Sequence, residues 1–450
     1  MSDVSDFDFI VLGAGNAGLT AAGIVSAAGQ SILVIESREV GGTCPLRGCV
    51  PKKVLVAAAE TLQHVAAAPH HHIQVNGAIL NWERLIERKQ TFVEGVAQAF
   101  EDSLRARGIQ VIHGLAQFVG PKTVSVNGRH YRGRKILIAT GSRPRTLAIP
   151  GFEHTITSDD ILEMKKLPRS IAFIGGGAIA FEFAHVLARA GVKVTIMEVM
   201  SRVLTGLDED VVKKLVNATR SLGVEILTDG SVQNVVPTAN GREISFVYHG
   251  ATHAMTAEVV ANGSGRVANT DALGLRAAGV QVDHSGIIVD EFLRSVSNND
   301  IFAAGDVLAT PQLSAVATYE GRIVGHNVTH DTMIQADYTN VPSVVFTAPA
   351  LASVGLTESA ARQRGAAFRL QVNDMRDWRS ARTYAETEAY SKVLVEEKSD
   401  SILGAHILGH GAAEIIHVFA LAMRHGIKAS VLASTVYAYP TFASDIKFLV

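Results

Sequence analysis

The 450-residue sequence predicts an α/β protein, with two Rossmann-like dinucleotide-binding domains followed by an α+β C-terminal domain. Three observations predict it. Two glycine fingerprints occur, each set between an apolar run and an Ala-rich helical stretch. Each fingerprint is followed at the same offset by a glutamate. The chain is also too long for one ordinary core, and 47% hydrophobic residues can fill several.

The first unit is FDFIVLGAGNAGLTAAGIVSAAGQSILVIES. Phe7–Leu12 reads as a buried strand, and Gly13, Gly15 and Gly18 form G-x-G-x-x-G. A helix to about Gly29 leads to a second strand, Ser31–Ile35, ending in Glu36. Glycine serves three needs at these spacings: a tight turn, close backbone approach to a pyrophosphate, and close helix–strand packing. The phosphates then meet free N–H groups at a helix N-terminus. Glu36 can accept hydrogen bonds from a ribose.

The second unit is RSIAFIGGGAIAFEFAHVLARAGVKVTIMEV. Strand Ser170–Ile174 feeds Gly175, Gly177 and Ala180, and a helix to about Ala190 leads to strand Lys193–Met197 and Glu198. Gly175 to Glu198 spans the same length as Gly13 to Glu36. A carboxylate at the ribose favours a free 2′-hydroxyl and repels a 2′-phosphate. The only nearby cation is Arg202. Glu198 therefore predicts NADH as the preferred partner over NADPH.

The last region, 336–450, contains the strand-like runs SKVLVEE (391–397) and GAHILG (404–409). Residues 412–425 read as an amphipathic helix with Ile415, Phe419 and Met423 on one face. His417 in it reads as a satisfied core or interface histidine. Arg376, Arg379 and Arg382 read as a solvated basic face or as a funnel for anionic substrates.

Lys and Arg number 41 against 43 Asp and Glu, a net charge of −2. Nothing in that balance favours nucleic acid as a partner. The start, MSDVSDFDF, is acidic and unlike a signal peptide, and no apolar run reaches membrane-spanning length. A cytoplasmic protein with no membrane partner is expected. Its two cysteines, Cys44 and Cys49, lie in GGTCPLRGCVPKK. In that compartment a close pair is a metal clip or a redox pair.

These motifs, in this order, resemble the flavin-dependent pyridine nucleotide–disulfide oxidoreductases, the family of glutathione reductase, lipoamide dehydrogenase and mercuric reductase. GAGNAG matches the FAD fingerprint, GGTCPLRGCVPKK the redox-disulfide segment, IATG (138–141) the return to the FAD domain, and GGGAIAFEFA the pyridine-nucleotide fingerprint. IFAAGDV (301–307) matches the second FAD contact, and VVFTAPALASVGLTE (344–358) the start of the dimerisation domain. The resemblance implies an FAD domain at 1–150 and 268–335, a nucleotide domain at 151–267, and a dimerisation domain at 336–450.

The resemblance also assigns residues. Gly13, Gly15, Gly18, Glu36, Gly42, Thr43, Thr140, Gly141 and Asp306 would hold FAD. Gly175, Gly177, Ala180 and Glu198 would hold NADH or NADPH. Cys49 would face the flavin as a thiolate favoured by a helix N-terminus, and Cys44 would exchange with substrate. Lys52 would sit near flavin N5 and pair with Glu182. TPQLSAVATYEG (310–321) would begin a helix aimed at the flavin's N1 edge. The cysteines are then a redox pair. A zinc site needs about four ligands, and His70, His71 and His72 read as a solvated loop, so no metal is expected.

Four departures limit the match. Pro45 is unusual inside the loop. Ala178 stands where glutathione reductase has a tyrosine over the flavin. No further cysteine pair lies near the C-terminus to hand over Hg(II). Tyr439-Pro440-Thr441 replaces His-Pro-Thr, and the glutamate five positions on is Ser444, with Asp445 one place off register. Histidine titrates near neutrality and an unperturbed tyrosine near ~10, so Tyr439 can donate a proton but is a poor base at pH 7. A cis Tyr439–Pro440 bond is expected by analogy.

The expected function is electron transfer from NAD(P)H through FAD and Cys44–Cys49 to a small disulfide or thiol-reactive acceptor, in a homodimer where Tyr439 reaches Cys44 of the partner subunit. Two alternatives stand beside it. One is a mercuric-reductase-like or quinone and dye reductase that uses the flavin directly, and the other is a non-enzymatic sensor of NADH state.

Overall fold

The structure is a computed structural model that describes residues 4–450. The chain divides into two compact units. The first comprises the residues up to Lys52 with 87–145 and 266–337, and the second comprises 53–86, 146–265 and 338–450.

The first unit is built on β1 (Val4–Leu12), α1 (Asn16–Ala27) and β2 (Ile32–Glu36). β1 pairs in parallel with β2 on one side and with strand Arg129–Ile138 on the other. Strand Gln110–His113 extends the sheet beyond β2, and Ile301–Ala303 joins the end of Arg129–Ile138. A sheet covered on both faces reads as continuous apolar runs. Phe9, Ile10, Val11 and Leu12 are accordingly buried, with Leu33 and Val34 beside them. After β2 come α2 (Thr43–Arg47) and α3 (Cys49–Ala67). Pro51 is the third residue of α3, where the missing N–H costs nothing.

The second unit repeats the pattern with β3 (Ser170–Ile174), α4 (Ala178–Arg189) and β4 (Lys193–Met197). Glu225–Leu227 and Val259–Asn262 flank them in a four-stranded parallel sheet. Helix α5 (Glu209–Ser221) is N-capped by Asp208, whose carboxylate accepts the Asp210 amide at 3.2 Å. Leu55, Val56, Trp82 and Ile86 pack into the same core as Phe181, Phe183 and Ile196.

The C-terminal part of this unit is a five-stranded antiparallel sheet, in the order 343–345, 351–355, 402–408, 390–396, 368–374. Helix Ala412–Arg424 covers it with Ile415, Ile416 and Phe419 buried, whereas His417 is exposed. The core reading of His417 is thus corrected: it falls on the helix face opposite Phe419. His70, His71 and His72 are exposed as expected, although Ala68–His71 forms a short 3₁₀ helix.

One buried cation fixes this part to α5. Lys392, on strand 390–396, has only 3% of its side chain exposed. Its Nζ lies 3.2 Å from Asp208, 2.6 Å from Asp210 and 2.5 Å from Glu358. Three carboxylates compensate one desolvated ammonium, which is the condition for a buried charge to be tolerated.

Candidate active site

In the first glycine turn, Gly13 has φ +102°, and a Cβ there would lie 2.3 Å from the Ala139 carbonyl oxygen. A Cβ on Gly18 would lie 2.0 Å from the Gly13 carbonyl oxygen. These two glycines are demanded by the chain itself. Gly15 differs, because a Cβ there would meet nothing nearer than Gly42 Cα at 3.9 Å. Packing does not require glycine at that point, so the open space suits a ligand that approaches the backbone closely. Glu36 Oε2 accepts the Ala14 amide at 2.7 Å and Oε1 the Arg38 amide at 2.8 Å.

The second turn repeats this chemistry. Gly175 has φ +107°, with a Cβ position 2.4 Å from the Gly263 carbonyl oxygen, whereas that of Gly177 is 3.7 Å away. Glu198 accepts the Gly176 amide at 2.7 Å and the Met200 amide at 2.8 Å. Ala180 is buried and Ala178 exposed at the start of α4. Arg202 donates to the carbonyls of Leu204, Thr205 and Leu207. Both cradles fit a dinucleotide: open space beside the middle glycine, amides at a helix N-terminus, and an oriented carboxylate.

Asp306, in the first unit, accepts from the Ser142 hydroxyl at 2.9 Å, and Arg266 holds that hydroxyl at 2.8 Å. Thr140 Oγ1 donates to the Asn269 carbonyl at 2.8 Å, and the Asn269 amide donates to Gly141 at 2.9 Å. Both motifs of the first unit beyond the fingerprint are therefore knit to residues 266–269 or 306.

The cysteine loop is latched to the first cradle. Gly41 and Gly42 take φ of +124° and +72°, the Gly41 amide donates to the Ala14 carbonyl at 2.9 Å, and Arg47 pairs with Glu39 at 2.5 Å. Cys44 lies in α2 behind the exposed Thr43, and Cys49 opens α3. The pair is present as two hydrogen-bonded thiols. Cys44 is lowered to about 6, chiefly because the Cys49 thiol donates to it; burial opposes this, and the Ser314 and Asn16 side chains add to it. Cys49 is pushed up by the same hydrogen bond, then by partial desolvation and the Cys44 charge, while Lys52 pulls it down. In this arrangement the hydrogen bond between the two sulfurs favours the thiolate on Cys44, because the donor in a thiol–thiolate bond keeps its proton, whereas the sequence places it on Cys49.

In the second unit, Glu182 is 4% exposed and its Oε1 accepts the Phe346 amide at 2.8 Å. Tyr439 is 64% exposed, and Arg379 Nη1 donates to its phenol oxygen. The Tyr439–Pro440 bond is cis, as the analogy implied, and so is Ala348–Pro349. The basic patch is not uniform: Arg376 pairs with Asp374 at 2.8 Å, while Arg379 turns to Tyr439.

The family model for pyridine nucleotide-disulphide oxidoreductases matches residues 7–321, and the model for the dimerisation domain of that family matches 341–449. The chain belongs to the pyridine nucleotide-disulphide oxidoreductase family. It is 34% identical over 441 residues to a glutathione reductase of Burkholderia cepacia, covering 98% of this chain and 97% of that protein. It is 32% identical to a mercuric reductase of Staphylococcus aureus, covering 98% and 81%, and 32% identical to a dihydrolipoyl dehydrogenase of Chlamydia pneumoniae, covering 97% and 95%. Among solved structures, the HOCl-induced flavoprotein disulfide reductase RclA from Escherichia coli superposes with a TM-score of 0.88 at 29% identity, covering 98% and 99%.

As a flavoprotein disulfide oxidoreductase, this chain uses residues that the motifs alone do not show. Asn16 and Ser314 both act on Cys44, and Asn16 Nδ2 donates to Ser314 Oγ at 2.5 Å. Ser314 opens the helix Ser314–Thr329, which the sequence did place. On α4 of the oxidoreductase, His185 and Arg189 follow Glu182 on one face and all three bond the backbone of 346–348. Burial lowers His185 to about 3, so it is neutral there. The spacing of 182, 185 and 189 was the available signal.

Proposed function

We propose that this oxidoreductase carries electrons from NADH, in preference to NADPH, through FAD to a Cys44–Cys49 disulfide and on to a small disulfide or thiol-reactive acceptor. FAD, when bound, supplies the two-electron link between nicotinamide and sulfur. The observation that carries the reading is the thiol pair itself. Cys44 is ionised near neutrality by Cys49, Ser314 and Asn16, beside a cradle with room for a dinucleotide.

The residues take these parts. Gly15 and the amides after it receive a pyrophosphate, Glu36 and Asp306 orient hydroxyls, and Gly42, Thr43, Thr140 and Gly141 line the flavin's side. Gly177, Ala180 and Glu198 receive the pyridine nucleotide. Cys44 attacks the acceptor as a thiolate, and Cys49 resolves the mixed disulfide. Lys52 sets a cation beside Cys49. NADH is favoured because Glu198 repels a 2′-phosphate while Arg202 is engaged with three carbonyls. The protein works in the cytoplasm as a homodimer, with Tyr439 meeting Cys44 of the partner subunit.

Anaerobic NADH titration of the FAD-loaded protein tests this. Wild type takes up two electrons more per subunit than Cys44→Ser, and only wild type turns over a disulfide. Equal uptake by both proteins refutes it. Exposed Ala178 favours a second reading, in which quinones take electrons directly from the flavin. Quinone turnover retained in full by Cys44→Ser, with no disulfide turnover by wild type, would select that one.

A further inference from the structure

Helix α6 (Arg379–Thr383) and its flanking aromatics meet the C-terminal segment at four points. Trp378 packs edge-on against Phe448, with ring centroids 5.9 Å apart at 85°. Arg379 Nη1 donates to the Tyr439 phenol oxygen. Ser380 hydrogen-bonds Asp445. Tyr384 faces Phe442 at 5.3 Å. Contacts at both ends of α6 thus fix the segment that carries Tyr439.

We propose that Arg379 is a positioning residue that turns Tyr439 into the proton donor for the thiolate leaving the acceptor. Guanidinium is a donor only. With Arg379 on one lone pair, the phenol directs its own hydrogen to a different acceptor, and Tyr439 is open enough to offer it. The cation also stands beside the oxygen that becomes negative as the proton departs, which is the electrostatic support a histidine would not need. Arg376 cannot take the part, since its guanidinium is held twice by Asp374 at 2.8 Å.

The inference rests on the function proposed above. The Cys44 thiolate of the partner subunit attacks an acceptor R–S–S–R. The Cys44–S bond forms, the S–S bond breaks, and R–S⁻ leaves and takes the Tyr439 proton. Once Cys44 is in the mixed disulfide, Cys49 gives its proton to water and attacks Cys44 as a thiolate, closing the Cys44–Cys49 disulfide and releasing a second R–S⁻, which is protonated after Tyr439 has recovered a proton from water. Two electrons pass from the cysteines to the acceptor.

The test compares an alkyl disulfide, 2-hydroxyethyl disulfide, with an aryl disulfide, 5,5′-dithiobis(2-nitrobenzoate). The alkyl thiolate is strongly basic and needs a proton on leaving, whereas the nitrophenyl thiolate does not. In FAD-loaded Arg379→Met, the ratio of alkyl to aryl kcat falls about tenfold or more, part of the roughly 10²–10⁴-fold that a positioned general acid contributes. Tyr439→Phe lowers the ratio similarly, the double variant falls no further, and Arg379→Lys recovers part of it. Flavin content and particle size show that the variants are folded. A parallel loss with both disulfides marks a structural role and overturns the proposal, as does an unchanged ratio. Wild type that takes up no extra electrons in its cysteines refutes the function itself, which the titration reads independently of this ratio.

Discussion

The Glu198 carboxylate accepts the Gly176 amide at 2.7 Å. Glu36 holds the Ala14 amide at the same distance, and each pair is separated by 22 residues. The acidic residue thus organises the glycine turn, which under the proposed function would receive phosphate, as well as the ribose side. Glu198→Ala removes both roles. Its kcat/KM for NADH is expected to fall about tenfold, equivalent to ~1.4 kcal/mol, with a smaller change for NADPH. A wild type that already prefers NADPH contradicts the assignment.

Gly175 and Gly177 lie two residues apart yet predict opposite outcomes. Gly175→Ala is strained at φ +107° and drives a Cβ to 2.4 Å from the Gly263 carbonyl oxygen. A loss of about 3 kcal/mol or more is expected, read by denaturant unfolding. Gly177→Ala has 3.7 Å of room, so its stability should stay within about 0.5 kcal/mol of wild type. Its KM for NADH should rise, because the new methyl group occupies the nucleotide's approach. Similar stability losses in both variants would reject the cradle.

The cysteine pair gives a pH signature. With Cys44 lowered to about 6 by the Cys49 hydrogen bond, iodoacetamide should modify the reduced protein at Cys44 first. The rate should rise with pH through a midpoint near about 6. Cys49→Ala deletes the donor, and the midpoint should climb toward the ordinary thiol value of ~8.5. Mass mapping that finds Cys49 alkylated first at pH 6.5 refutes the ordering.

Glu386 is raised to about 7 by burial, with its side chain 5% exposed and His410 Nδ1 3.6 Å away. Its folded value exceeds the unfolded one of ~4.3. This stabilises the fold fully below about pH 4 and is lost as pH rises through about 7. The ceiling is about 4 kcal/mol at ~1.36 kcal/mol per unit. Glu386→Gln should abolish that part of the slope. Urea unfolding of both proteins at pH 5 and pH 8 isolates it, since the opposing His410 contribution is common to both. Parallel slopes defeat the prediction.

What the sequence revealed follows the range of the interactions. The two nucleotide units were legible because strand, glycine turn and acid lie within one short stretch. The cysteine segment was legible from its motif and its place after Glu36. The hydrogen bond between Asn16 and Ser314 joins residues 298 positions apart, and that between Glu182 and Phe346 joins residues 164 apart. No local pattern carries such pairings. The proton sharing between Cys44 and Cys49 was hidden for a related reason: helix position and Lys52 argue for a thiolate on Cys49, whereas the Asn16 and Ser314 side chains argue for Cys44. Exposed His417 shows the limit of a helical stripe, which fixes the buried face through Ile415 and Phe419 but leaves the neighbours to geometry.

Lys392 has a bearing on how such a protein can be cut or recombined. Its three carboxylate neighbours come from two stretches far apart in sequence, Asp208 and Asp210 in one and Glu358 in the other. A dimerisation fragment expressed alone would keep the lysine and discard two of its counter-charges. The last hundred residues are therefore not a transplantable module: a chimera that trades them must carry the start of α5 along, or replace the lysine with an apolar side chain.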